Sequence, residues 1–181
     1  MSNLSLLNLS HSNFAEQNRG DQFLRFQLYP DTKAMLPIRQ ITEVLKIQFG
    51  QIVPIPQMPS WVMGVYNWRG DILWMLDLGH LIGLDTWYKH KLNRSNHTAI
   101  VLSPHRDSQG NNTNNVHLGL VVAQVEDFAT CDKNAIQSNL GSNVSSQLNS
   151  FLQGYWLQAD GEMILALNSQ AIAAAMPSSP S

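Results

Sequence analysis

The chain is expected to be an all-β protein with minor helical content and a barrel-like architecture. Three observations predict this. Short segments of strand length recur along its 181 residues. Turn-forming residues separate them, and long helical periods are few. One stretch, Pro54 to Leu78, concentrates the signal, because prolines, glycines and two apolar runs follow each other within it.

Met1 to Asp21 is polar, rich in Asn and Ser, and reads as a mobile tail. Phe23 to Leu28 alternates: Leu24, Phe26 and Leu28 are apolar, Arg25 and Gln27 polar, which is the pattern of a half-buried strand. Ala34 to Val44 is extended. Pro37 interrupts it and must sit at an edge or a bend, because it has no N–H to donate. Pro54, Pro56 and Pro59 give an extended, turning entry. Val62 to Trp68 and Ile72 to Leu76 then read as a hairpin around Arg69-Gly70-Asp71, with an arginine at its bend. Asn67 can bond across the hairpin. Asp77 can cap a short helix, Leu78 to Leu84, that ends at Gly83.

The second half is less regular. Thr86 to Asn96 is a polar link with clustered Lys, His and Arg, and Thr98 to Leu102 is a strand. Pro104 to Asn115 is an Asn-rich loop. Val116 to Val125 is a strand with Val116, Leu118, Leu120 and Val122 on one face. Ser138 to Ser150 is a second Ser/Asn-rich loop, turning helical near Gln147. Tyr155 to Gln158 and Met163 to Leu167 flank the hairpin turn Asp160-Gly161. Ser169 to Met176 is helical, and Pro177 stops it. There is no internal sequence repeat.

Composition excludes several classes of function. The net charge is −2 with 13% charged residues and no basic stripe, so nucleic acid is not an expected partner. No apolar run approaches the roughly twenty residues of a membrane span. The N-terminal stretch lacks the basic region of a signal peptide. Cys131 is the single cysteine, read as an incidental thiol. The histidines His11, His80, His90, His97, His105 and His117 show no helical metal-ligand spacing. No Cys-x-x-Cys, Gly-x-Ser-x-Gly, Walker or dinucleotide fingerprint occurs. No catalysis, cofactor or metal is expected.

The segment Gly64-Val65-Tyr66-Asn67-Trp68-Arg69-Gly70, followed by Asp77-Leu78 and Leu81-Ile82-Gly83-Leu84, resembles the CheW-like domain of chemotaxis adaptors. Phe23 to Leu28 resembles that family's first strand and Met35 to Val44 its second strand and the Val-x-Glu-Ile segment. Looser similarity continues to Ala175. The resemblance implies two five-stranded SH3-like barrels packed together, with short helices and a C-terminal helix. Their apolar interface would lie where the motif hairpin meets the second half. Residues 22–176 would form the domain, made of two intertwined barrel subdomains, with tails at 1–21 and 177–181.

The resemblance also implies a non-catalytic adaptor. It would couple the cytoplasmic tip of a methyl-accepting chemoreceptor or photoreceptor to the regulatory domain of a CheA-like histidine kinase. It would be cytoplasmic, recruited to membrane receptor arrays without inserting into the membrane. The partner-binding residues would be Ile41, Glu43, Asn67, Trp68, Arg69 and Gly70. Arg69 has two readings, a brace of its own turn or a guanidinium offered to a partner, and both can hold. Glu43 would project from its strand toward solvent or a partner, with Ile41 as the apolar contact beside it. Trp74 belongs to the core, whereas Trp68 keeps part of its ring exposed. The Asn-Trp-Arg-Gly variant and the Asn-rich loops resemble adaptors of cyanobacterial phototaxis and pilus-driven motility. A scaffold of a type IV pilus system without a receptor partner is the alternative. A small enzyme or a peptide-binding module is a more distant one. The chain departs from the family pattern at Val122-Ala-Gln-Val125, which lacks an acid, and at Asn168, where aspartate is usual.

Overall fold

The computed structural model describes residues 20–90, 96–103, 116–138 and 144–177. The expected Asn-rich loop at 104–115, most of the N-terminal tail and residues 178–181 lie outside the described residues. The strands are β1 (Asp21–Leu28), β2 (Thr32–Pro37), β3 (Ile41–Gln48), β4 (Val62–Trp68), β5 (Asp71–Asp77), β6 (Asn96–Leu102), β7 (His117–Val122), β8 (Gln124–Cys131), β9 (Ile136–Gln137), β10 (Leu152–Leu157) and β11 (Met163–Leu167). Short helices α1 (Leu78–Leu81), α2 (Ser146–Ser150) and α3 (Ser169–Ala174) punctuate them.

Two sheets result. One is six-stranded, in the order β8-β1-β2-β11-β10-β9, and the other five-stranded, β3-β6-β7-β5-β4. The expectation of an all-β protein with short helices holds. Neither backbone ladder closes among the described residues, so the expected barrels are open. The sixth member of the larger sheet, β9, is only two residues long.

The two sheets share one plan that the sequence does not display. Each contains an antiparallel hairpin whose second strand runs parallel to a central strand: β5 beside β7, and β11 beside β2. Each hairpin's first strand carries a bulge at a glycine, Gly64 in β4 and Gly154 in β10. Their φ values are +140° and +156°. A Cβ at Gly64 would lie 2.2 Å from the Val53 carbonyl oxygen, and one at Gly154 would lie 2.3 Å from that of Gln137. Only glycine lets the neighbouring backbone approach this closely. Both second strands end in a side-chain cap, Asp77 for α1 and Asn168 for α3.

The main core joins the two sheets. Leu24, Phe26 and Leu165 from one meet Leu76, Ile100 and Leu120 from the other, with Leu78 and Ile82 beside them. Each sheet also wraps a smaller core, Phe23, Met35 and Ile164 in one and Ile47, Leu73 and Val101 in the other.

Two readings need correction. Asp21, assigned to the tail, opens β1. The strand expected over Val116 to Val125 is two strands broken at Ala123, and β8 runs on to pair with β1. Its acidic centre, Glu126-Asp127, hides it from an alternation search. Cys131, the thiol without an expected role, is 2% exposed and packs with Phe23 and Met35.

Candidate functional site

The hairpin β4–β5 positions the site. Trp68 pairs with Asp71, so Arg69 and Gly70 form a two-residue turn. Both have positive φ, 56° and 92°. A two-residue hairpin turn that follows the strand twist requires this at both positions. Glycine adopts it freely, whereas arginine does so at a cost of about 1 kcal/mol. Asn67 Oδ1 accepts from the Gly70 N–H at 3.0 Å, which fastens the turn as the sequence suggests.

β3 and β4 are the two edges of the five-stranded sheet. The sheet curls until those edges meet through side chains. The Trp68 Nε1–H donates to Glu43 Oε1 at 2.7 Å. Arg69 Nη2 donates to Glu43 Oε2 at 3.1 Å and stands 2.9 Å from Oε1. Glu43 therefore holds both residues at once, and polar side chains close the barrel where the backbone ladder leaves it open. The Arg69 guanidinium also lies 5.3 Å from the centre of the Trp68 ring.

Of the six expected residues, Glu43, Asn67, Trp68, Arg69 and Gly70 gather at this end of the barrel. Ile41 lies two residues before Glu43 on β3 but is half-buried against the main core. Glu43 points inward to its two partners, where a free outward projection was one expectation; its side chain is 24% exposed against 70% for Arg69. Trp68 is half-buried and packs on the smaller core of its sheet. Ile72, which faces Asn67 across the hairpin, is 62% exposed.

His117 was not anticipated in the site. Its ring meets Trp68 edge-on, with centroids 5.1 Å apart. It comes from β7, far along the chain, so nothing local announces the contact. The same holds for Glu43 and Trp68, 25 residues apart.

Asp77 lies at the opposite end of β5. Its Oδ1 accepts from the His80 N–H at 3.1 Å and its Oδ2 from the Trp87 N–H at 3.0 Å. The carboxylate thus caps α1 and holds the following turn. Burial pushes its pKa above the ordinary 3.8, against the lowering effect of these donors.

Residues 22–176 match the CheW-like domain family. The chain belongs to that family, which makes it a CheW-like scaffold or adaptor of chemotaxis signalling. Among solved structures it is similar to the scaffolding protein TtCheW from Thermoanaerobacter tengcongensis, at 22% identity and a TM-score of 0.63 over 82% of this chain and 89% of that one. No curated protein matches. No helix among the described residues is long and apolar enough to cross a membrane.

Proposed function

We propose that this chain couples a methyl-accepting receptor to a CheA-like histidine kinase, with the β4–β5 turn as its receptor-facing surface. The observation that carries this is the state of Arg69. Its backbone is held in an unfavourable conformation and its guanidinium is anchored on Glu43, yet 70% of the side chain faces solvent. An arginine in this position offers a preoriented fork of donors to a partner. Ile72 adds an exposed apolar contact beside the turn. Glu43 and Trp68 act as positioning residues, and Asn67 and Gly70 set the backbone. Ile41 contributes at the edge of β3.

Coupling of this kind needs no catalysis. Two modest interfaces, repeated in an array, let a small receptor change shift the kinase between states. Residues 22–176 form the coupling domain. The Asn67-Trp68-Arg69-Gly70 variant supports a pathway of phototaxis or pilus-driven motility.

Calorimetry tests the proposal. The purified chain is titrated with the regulatory domain of each CheA-like kinase of its own cell, then with the receptor tip of the same pathway. Saturable binding to one kinase and to that receptor is expected. Arg69→Glu is expected to weaken receptor binding about tenfold or more, because a carboxylate replaces the guanidinium donors offered to the partner. The melting temperature should change little. Unimpaired receptor binding by a folded Arg69→Glu chain rejects the surface.

A further inference from the structure

We propose that the groove beside the start of β1 binds an acidic peptide segment of a partner protein, anchored by an apolar side chain. This groove belongs to the six-stranded sheet, away from the β4–β5 turn. It encloses about 230 Å³ and is lined by Asp21, Phe23, Pro37, Arg39, Lys133 and Ile136, with Gln153 at its side. A second hollow of about 340 Å³ adjoins it through Asp21, Pro37 and Arg39.

The floor is apolar, from Phe23, Pro37 and Ile136, and the rim is cationic. Lys133 Nζ lies 2.9 Å from Asp21 Oδ2, and Arg39 Nη1 lies 3.5 Å from the same oxygen. Two cations therefore converge on one carboxylate oxygen, and the lining carries one more positive than negative charge. Both cations remain largely in water, their side chains 60% and 61% exposed. A guanidinium has five N–H donors and an ammonium three, so most of their bonding capacity is unspent on Asp21. The nearby Asp132 does not line the groove; its Oδ1 accepts from the Asn134 N–H at 2.9 Å.

Other described cations are balanced differently. Arg25 and Lys33 share Glu126 and Glu162, and Arg25 also meets Asp127. Arg69 is held by Glu43 and Lys89 by Asp85, and Lys46 Nζ donates to Thr98 Oγ1 at 2.6 Å. The Arg39–Lys133 pair is thus a local cationic feature on a chain of net charge −2. Asp21 occupies the place that a ligand carboxylate would take. A ligand combining a carboxylate with a neighbouring Leu or Phe matches rim and floor together, and displacing Asp21 from a solvent-exposed pair costs little. This inference does not rest on the receptor-coupling proposal.

The test is fluorescence anisotropy on the full chain with a labelled peptide Gly-Glu-Asp-Leu-Phe-Gly and its Gly-Gln-Asn-Leu-Phe-Gly counterpart. The acidic peptide is expected to bind saturably, and its amide counterpart about tenfold more weakly. Asp21→Asn removes the internal competitor and should tighten binding about threefold or more. Arg39→Glu with Lys133→Glu should abolish it. Should that pair of reversals disturb folding in thermal melts, Arg39→Gln and Lys133→Gln, each at an exposed side chain, replace it and should each weaken binding. Absence of saturable binding, equal binding of both peptides, or binding that survives loss of the two cations in a folded chain overturns the proposal.

Discussion

The two hairpins, β4–β5 and β10–β11, share a backbone and differ in their chemistry. Each has a bulge glycine pressed against a carbonyl, a second strand parallel to a central strand, and a side-chain cap at its end. Even the backbone of the cap residue repeats: the Asp77 N–H donates to the Trp61 carbonyl and the Asn168 N–H to the Phe151 carbonyl, both at 2.8 Å. The turns diverge. At β4–β5 an arginine sits at the bend and reaches Glu43. At β10–β11 a longer turn is held by Asp160 Oδ1, which accepts from the Glu162 N–H. Glu162 then joins Arg25, Lys33 and Glu126 in a network that links this turn to β1, β2 and β8. The shared frame is fixed by sterics and hydrogen bonding, which tolerate little. The turns answer to other demands.

The largest effect tests the frame. Gly64→Ala and Gly154→Ala should each cost on the order of 3 kcal/mol in urea unfolding, because the new Cβ meets a backbone carbonyl and φ is positive. Equal losses would support equivalence of the two hairpins. A neutral result at one glycine would break it.

The caps come next. Asn168 uses a single oxygen, accepting from the Gln170 and Ala171 N–H groups, so an amide serves. Asp77 uses both oxygens, toward His80 and Trp87. Asp77→Asn would set an NH₂ against one of those N–H groups, and we expect a loss of about 1–3 kcal/mol. Asn168→Asp should change stability by less. The pH dependence has a definite sign. The folded pKa of Asp77 is raised, so its protonated form favours the folded state. That contribution is complete below the unfolded value near 3.8 and is lost as pH rises through the higher folded value. The advantage of the wild type over Asp77→Asn should therefore shrink from pH 4 towards pH 7. An advantage that instead grew with pH would contradict burial as the dominant influence.

How far these differences were legible depends on their range along the chain. The hairpin β4–β5 and the Asp77 cap are local, written in alternation, turn residues and the start of a helix. The family motif added the architecture. The structural repeat was invisible because only Gly64 and Gly154 carry the shared constraint as the same residue type, and Asp77 is matched by Asn168. β8 was missed because Glu126 and Asp127 break its alternation; their partner Arg25 is about a hundred residues away. The expected partner-binding residues could be named from the motif, but not the arrangement that brings five of them together. Glu43 reads as a solvent-facing acid until the curl of the sheet brings Trp68 to it.

A smaller contrast separates the Glu43 clasp from the Arg25 network. Glu43→Ala leaves the Trp68 Nε1–H without its acceptor, and we expect a loss of about 1–2 kcal/mol by chemical unfolding. Glu126→Ala should cost less, because Arg25 keeps Glu162 and Asp127. The reverse order would show that the charged network, rather than the Glu43 clasp, holds its barrel more firmly.

The smallest expected change in stability carries the most information about function. Arg69→Gly removes an exposed ion pair worth about 0.2–1 kcal/mol and relieves a left-handed backbone worth about 1 kcal/mol. These nearly cancel, so urea midpoints should shift little. The β10–β11 turn has glycine at its own positive-φ position, Gly161, where φ is 85°. An arginine that folding does not need, in a conformation glycine prefers, fits the partner contact proposed for this turn. Receptor binding lost with stability intact is therefore the expected outcome for Arg69→Gly. A clear loss of stability would instead make Arg69 a brace for its own hairpin, and the contrast between the two turns would then concern folding rather than recognition.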